Sequence, residues 1–384
     1  MIHLGDFLRV NAGDPALAIL HGGGCAVGSL GAPASRPARG DVACSGTVED
    51  PRRAGLEAGA PGSTLADPRR AWCPTNPTTI LQYDYEGTAY TAPAQSLVVS
   101  PLPDAPVPRL ASPFQSAWDA AVHAAKVEDI RRRIARGDCY QVNLAVPFTA
   151  RLADGDDLAV FLALLRTSPG PFAGFIRRPG RPTVVSQSPE NFLAWDAGRI
   201  TSSPIKGTRR RILGREDTTR AELLASAKDR AELAMIVDLV RNDLGRLALP
   251  GSVQVDAPAR LLDLPYVHHL VADISARERP GTTLEDRLTA AFPAGSITGA
   301  PKKMAISIIR ELEGRPRGAY CGAFGWSNAT AGQLAVAIRT AEIHGDRITL
   351  WAGSGITADS DGPAEWDEVQ AKAAGFAAMF GGGR

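Results

Sequence analysis

Pro204-Ile205-Lys206-Gly207-Thr208 follows directly on the strand-like run Arg199-Ile200-Thr201-Ser202-Ser203. One lysine stands between a rigid proline and a flexible glycine. The segment reads as a turn that can aim an amine inward as a nucleophile. An ordinary solvated lysine is the competing reading for any lysine beside a turn. The segments on either side decide between the two.

Toward the C-terminus, residues 218 to 248 have the apolar spacing of one long helix, with Thr218 or Thr219 as its N-cap. Glu285 to Ala291, Ala300 to Leu312 and Ala364 to Phe380 also read as helices. Tyr320 to Trp326, Leu334 to Glu342 and Arg347 to Trp351 read as strands. Toward the N-terminus, strands are expected at Phe192-Leu193-Ala194-Trp195, Thr183-Val184-Val185, Gly174-Phe175-Ile176 and Tyr140 to Val146. Phe114 to Arg136 has helical spacing and stops at Gly137. Pro101 to Pro113 is a proline-spaced linker, and Thr79 to Val99 reads as a hairpin turning at Glu86-Gly87. Residues 1 to about 75 are rich in Gly, Ala and Pro and read as irregular chain. The expected division is therefore 1–113, irregular with a hairpin and linker, and 114–384, the domain that carries the chemistry. Strands cluster between helices without regular alternation or a dinucleotide fingerprint. That pattern favours an α+β layered fold over a doubly wound one.

Composition narrows the function. The 384 residues are 44% hydrophobic and 22% charged, with a formal charge of +1. No global field favours nucleic acid, so local charge must handle any anionic ligand. The five cysteines are widely spaced, without a Cys-x-x-Cys, which fits a reducing cytoplasm. No apolar run reaches membrane-spanning length, and no signal peptide is expected.

Three constellations could carry chemistry. Asp229 and Glu232 are three apart, as are Glu365 and Glu368, so each pair shares a helix face. Two such faces, if opposed, offer oxygen ligands for Mg²⁺. Glu368 can instead pair with Lys372 as a solvated i,i+4 ion pair. Glycine-bearing turns form the second set. Gly295 to Gly299 leads through Pro301, placed as a first-turn proline, into a helix, and Gly353-Ser354-Gly355 follows a strand as an amide nest. Both can equally be structural turns. The third set is polar residues in apolar surroundings. Arg339 lies in Val336-Ala337-Ile338-Arg339-Thr340 and needs a carboxylate, from the protein or from a ligand. His269 is a core histidine or a site residue, and Glu190 is a candidate acid or a solvated turn residue.

In order along the chain, these segments resemble the chorismate-utilising enzymes. The matching stretches are Gly137 to Leu144, Ser188-Pro189-Glu190, Pro204 to Arg209, Lys228 to Arg246, His269-Leu270-Val271, Phe292 to Lys302, Arg317 to Gly322, Ala337 to Thr340, and Gly353 to Ser360 followed by Glu365, Glu368 and Lys372. They cover roughly residues 114 to 378. The resemblance implies layered antiparallel β-sheets with flanking helices. It also implies conversion of chorismate and ammonia to 4-amino-4-deoxychorismate, the precursor of 4-aminobenzoate and folate. Members that make anthranilate typically have alanine where this chain has Lys206. Members that add water carry a base lysine where it has Gln141. An anthranilate-forming or other aminating enzyme is the alternative within the family, and a non-catalytic subunit the alternative outside it.

The roles so implied are as follows. Lys206 attacks C2 while Glu190 protonates the departing C4 hydroxyl. Mg²⁺ is held by Glu232 and Glu368, with Glu365 and Asp229 supporting. Arg339, Tyr320, Lys372 and the Gly353-Ser354-Gly355 amides hold the enolpyruvyl carboxylate. Thr298 and His269 position the ring, and Gly207-Thr208 lets the backbone come close. A free lysine, of pKa ~10.4, is neutral only about one part in a thousand near neutral pH, and a shift of about three units corresponds to roughly 4 kcal/mol. Gly24-Cys25-Ala26 lacks the amidotransferase nucleophile pattern, so ammonia is expected from a separate glutamine amidotransferase subunit. No lyase segment is expected. The glycine- and aromatic-rich segment usual before the linker is not recognisable, and Ser354 and Trp366 depart from the common residues at their positions.

Overall fold

The computed structural model describes residues 18–21, 25–27, 79–92, 96–98 and 106–380, apart from 168, 169, 178, 179 and 265. Most of the segment expected to be irregular, 1 to about 75, lies outside these residues. The first strands are β1 Ala18–His21, β2 Cys25–Val27, β3 Thr79–Tyr83, β4 Ala89–Ala92, β5 Ser96–Val98, β6 Arg109–Leu110 and β7 Gln115–Ser116. Helix α1 Ala120–Ala135, β8 Gln141–Asp154, α2 Asp157–Thr167, β9 Phe172–Ile176, β10 Thr183–Ser188, β11 Asn191–Asp196, β12 Arg199–Ser203 and β13 Ile205–Arg210 follow. Next come α3 Glu216–Ala225, α4 Ala227–Gly245, β14 Gln254–Asp263, β15 Val267–Arg277, α5 Leu284–Ala291, a 3₁₀ turn Gly295–Ile297, β16 Gly299–Ala300 and α6 Lys302–Glu313. The chain continues through β17 Ala323–Ser327, β18 Gly332–Val336, β19 Thr340–His344, β20 Arg347–Ile356 and α7 Gly362–Ala377.

The expected α+β layered architecture is the one the chain adopts. One sheet runs β1-β9-β10-β19-β20-β8-β16 and the other β13-β15-β12-β11-β18-β17-β3-β4. Phe172, Ile176 and Val184 of the first sheet pack on Phe324, Trp326 and Ala335 of the second. Helices α2 and α7 cover the outer side of the first sheet through Phe161, Leu165, Val369 and Phe376. Helices α4 and α5 cover the second through Leu233, Ile236, Val240 and Ala291. The α1 and α6 helices close over β8 through Val127, Ile130, Ala305 and Ile309. Strands on both sides of residue 113 share sheets, since β3 pairs β17 and β1 pairs β9. Among the described residues no helix is long and apolar enough to cross a membrane.

Several local expectations are corrected. The helix expected from Phe114 begins at Ala120, where the Asp119 side chain accepts from the Val122 amide. Within the Pro101–Pro113 linker, Arg109–Leu110 pairs with β8. The single helix expected over 218–248 is two, α3 and α4. Ser226, with ψ 108°, breaks the ladder, and its hydroxyl caps α4 by accepting from the Asp229 amide. Neither Thr218 nor Thr219 is that cap, since both lie inside α3. Ser226→Ala is expected to lower stability by about 1 kcal/mol, read from the denaturant midpoint. Pro301 is the N-cap of α6 rather than its first helical residue.

Two of the passages that the chain makes between the sheets run side by side. It leaves the first sheet at Ser188 and enters the second at Asn191, with Glu190 at the passage. It returns from Val336 to Thr340, with Arg339 at that passage, in the left-handed region at φ 49°. The Arg339 carbonyl accepts from the Gln187 amide and the Glu190 carbonyl from the Val336 amide, both at 3.1 Å. The strand expected through Leu334–Glu342 is therefore broken at the residue that matters most in it.

Candidate active site

Lys206 lies in β13 rather than on a turn after β12, at a bulge where the β13–β15 register shifts between Lys206 and Thr208. Gly207 makes the bulge, with φ 80°. A Cβ there would meet Asp229 and Leu223 at 3.0 Å, so α4 packs directly on this backbone. The bulge re-aims the lysine inward. A Cβ placed on Gly355 would lie 3.2 Å from Lys206 Nζ and 2.2 Å from the Gln141 side-chain nitrogen. The amine thus reaches across from the second sheet to the floor of the first. Gln141 is buried there, and neither polar atom of its side chain has a hydrogen-bond partner.

Burial lowers the Lys206 pKa, with Glu232, Glu190 and Glu368 opposing and Lys372 assisting. Glu190 is buried, and desolvation raises its carboxyl to about 7, against the Ser296 hydroxyl, the Lys206 charge and the Ile205 backbone. An ordinary glutamic acid is protonated only to a few parts in a thousand at pH 7. The pair is therefore tuned in opposite directions, the amine toward neutrality and the carboxyl toward holding its proton.

Arg339 is not inside a strand, and among the described residues no carboxylate pairs with it. Its guanidinium hydrogen-bonds His269 Nε2 at 3.3 Å, and burial depresses its pKa. Such a cation is a receptor for an anionic ligand. Gly353-Ser354-Gly355 is not a turn after a strand but part of β20, opposite Leu144 and its neighbours in β8. The Asn143 amide donates to Thr298 on the far side of β8, so its partner Gly355, and Gly353 two residues on, turn their amides away from β8. Those amides face the cavity. Ser354 alternates to the other side, where its hydroxyl is buried without a partner. Lys372 donates to the Gly353 carbonyl at 2.8 Å and to Glu368 at 2.6 Å. Tyr320 is buried, stacks on Trp351 with centroids 6.1 Å apart, and hydrogen-bonds the Cys321 thiol. The Thr298 hydroxyl donates to the Ala294 carbonyl at 2.9 Å, so it fastens its own loop. Thr208 meets His269 Nδ1 at 2.9 Å.

The four carboxylates are not equally placed. Asp229 is held by Arg209 at 2.8 Å, and Glu365 accepts from Ser360 at 2.7 Å. Among the described residues no three acidic, imidazole or thiol side chains gather as a ready metal set. Glu368 is ion-paired with Lys372 at 2.6 Å, and its charge acts on Glu232. Burial raises the Glu232 pKa, with Lys206 and Lys228 opposing and the charges of Asp229 and Glu368 adding. A divalent cation between the two carboxylates would relieve that burial and repulsion. Two carboxylates with room for water and substrate oxygens suit Mg²⁺.

Two features were not read from the sequence. Ser296 donates to Glu190 at 2.5 Å, and the only hint was that it is one of two hydroxyls, with Thr298, in the otherwise apolar run Phe292 to Ala300. Arg317 is 1% exposed and paired with buried Glu313 at 2.6 Å. It also donates to the carbonyls of Ile297 and Asn143, at 3.0 and 2.8 Å, and lies over the Tyr85 ring. It ties the 3₁₀ turn, β8 and the β3–β4 hairpin turn into one frame.

Comparison with known proteins places this geometry in context. The family described as chorismate binding enzyme matches residues 55–378. Aminodeoxychorismate synthase component 1 of Salmonella typhimurium is 43% identical over 264 residues, 68% of this chain and 58% of that protein. The protein of the same name from Escherichia coli is 43% identical over 263 residues, again 68% and 58%. The chain thus spans somewhat over half the length of these relatives. The crystal structure of anthranilate synthase component I from Streptococcus pneumoniae superposes with a TM-score of 0.64 at 34% identity, covering 71% of this chain and 60% of that one.

Proposed function

The chain belongs to the chorismate-binding enzymes, and on that premise we propose that it aminates chorismate at C4, giving 4-amino-4-deoxychorismate through a covalent bond to Lys206. The observation that carries this reading is the half-buried Lys206, its amine aimed inward and made less basic, beside the unpartnered Gln141 amide. A lysine so placed is a nucleophile, whereas a glutamine cannot activate water as a lysine base would. Resemblance to named aminodeoxychorismate synthase components supports the same product over anthranilate.

Arg339, Lys372 and the Gly353 and Gly355 amides take the enolpyruvyl carboxylate. The neutral Lys206 amine adds to C2, the ring double bonds shift, and the C4–O bond breaks as Glu190 gives its proton to the departing hydroxyl, releasing water. Ammonia then adds to C4, the double bonds shift back, and the C2–Nζ bond breaks. The surplus proton of the new ammonium returns to the Glu190 carboxylate, which restores both residues. Glu232 and Glu368, supported by Glu365 and Asp229, would hold Mg²⁺, which supplies charge neutralisation for the ring carboxylate. Tyr320 and Thr298 act by fixing the walls, and Gly207 and Thr208 by shaping the approach. The 114–384 unit carries the reaction in the cytoplasm, a separate glutamine amidotransferase supplies ammonia, and the product feeds 4-aminobenzoate and folate.

Incubation with chorismate, Mg²⁺ and ammonium tests the product. The expected result is no immediate anthranilate fluorescence, and 4-aminobenzoate only after a pyruvate-eliminating lyase is added. Direct anthranilate formation would overturn the C4 assignment. With glutamine in place of ammonium, turnover is expected only when an amidotransferase is supplied. The rate is expected to be bell-shaped in pH, because Glu190 must hold its proton while Lys206 must be neutral, with one limb near about 7 set by Glu190 and the other set by Lys206 below the ordinary lysine range.

A further inference from the structure

His269 sits between the two halves of the site. It pairs with Thr208 across β13 and β15, opposite the Gly207 bulge. Its Nε2 faces an Arg339 nitrogen at 3.3 Å and its Nδ1 the Thr208 hydroxyl at 2.9 Å. The ring also hydrogen-bonds the Gly207 backbone. A guanidinium nitrogen can only donate, so Nε2 must present its lone pair. The single ring proton is then on Nδ1, directed at the bulge.

We infer that His269 is a positioning residue, a neutral ring whose Nε2 holds Arg339 and whose Nδ1–H holds the Lys206–Thr208 bulge, so that the carboxylate clamp and the aim of the amine are mechanically joined. The inference rests on the reaction proposed above and assigns His269 a narrower role than contact with the ring. The alternative, an imidazolium acid, has no support around it. The charges that act most on the ring are those of Arg339 and Lys372, both cations, and burial with Arg339 pushes the ring down to about 3. The coupling has a geometric basis. Arg339 leaves its strand at φ 49°, and Lys206 stands beside a glycine at φ 80°. The β13–β15 register shifts between Lys206 and Thr208, and His269, paired with Thr208 at that point, also reaches the Arg339 guanidinium.

Two half-mimics separate the two contacts. A glutamine amide can reach the Nε2 position and accept from Arg339, while an asparagine amide reaches the Nδ1 position and donates to the bulge. In the full-length chain, His269→Gln is expected to keep the chorismate Kd within about threefold and lower kcat about a hundredfold, because the amine loses its aim. His269→Asn is expected to weaken Kd about tenfold with a smaller loss in kcat than His269→Gln. Nitrogen-15 spectra of the unsubstituted, ligand-free chain, with the His269 signals assigned, should show that ring as an Nδ1–H tautomer that does not titrate between about pH 5.5 and 8. Parallel losses of Kd and kcat in both variants, or a ring titrating near the ordinary histidine value, would overturn the inference. If the unsubstituted chain does not aminate chorismate, the proposed reaction fails, while the ring spectrum and the binding constants still decide the clamp. A variant that does not fold leaves the spectrum of the unsubstituted chain as the deciding measurement.

Discussion

Lys206→Ala is expected to lower C4 amination by at least about a thousandfold while chorismate binding changes by less than about threefold. The split follows from where the side chain lies. Its amine is not among the groups proposed above to grip carboxylates, which are Arg339, Lys372 and the β20 amides. Removing it also takes away a group whose protonated form favours ionised Glu190 and Glu232, so neither carboxyl should lose its proton more readily. The loss in rate therefore cannot come from an acid that has lost its proton. The intact chain, mixed with chorismate in the absence of ammonia, should gain the mass of one chorismate less one water, and the variant should gain nothing. Undiminished turnover in the variant would remove the covalent step from the mechanism.

Arg317→Ala is expected to destabilise the fold by about 3–5 kcal/mol, read from denaturant midpoints. The cost is not the lost attraction alone. Glu313 is 5% exposed, and it would remain in the interior with only the Ala145 amide, 3.0 Å away, to satisfy it. Arg317→Lys should recover little, because a point charge cannot serve Glu313, Ile297 and Asn143 together as the planar fork does. Replacing Glu313 and Arg317 together with methionine should recover a large part, since no unpaired charge stays behind. A loss below about 1 kcal/mol in the single alanine variant would show that the pair is far better hydrated than its burial suggests.

The sequence disclosed the layered strands and the special lysine because both are local signals. Short apolar runs mark β9, β10 and β11, and the proline and glycine around Lys206 mark a departure from regular strand, read as a turn where the chain has a bulge inside β13. The break at Ser226 was harder, because good helix formers stand on both sides of it and periodicity alone runs through. The cap was nonetheless spelled out in Ser226 and Asp229, three residues apart. Arg339 looked like a charge inside one strand because Leu334 to Ile338 before it is apolar throughout. Only the register of two different sheets shows that the strand ends there. Gly353 to Gly355 looked like a nest for a similar reason, since two glycines suggest a turn unless the partner strand is known. The partners of Glu190 and Arg317 lie 106 and 20 residues away at Ser296 and Ile297, and no local pattern encodes such a meeting. Of the four carboxylates, helix spacing identified faces but could not tell that Arg209 engages Asp229.

Glu190 and Arg339 stand where the polypeptide passes from one layer to the other, and each passage is stitched to its neighbour by a backbone amide. Many enzymes diversify by lengthening the connections that carry their reactive groups, because a connection over the surface tolerates insertion. These two connections do not have that freedom, since an added residue would throw two ladders out of step at once. A new substrate or a new nucleophile must enter this scaffold by exchanging side chains on an unaltered track, which makes single substitutions at the cavity wall the route by which its chemistry can diverge.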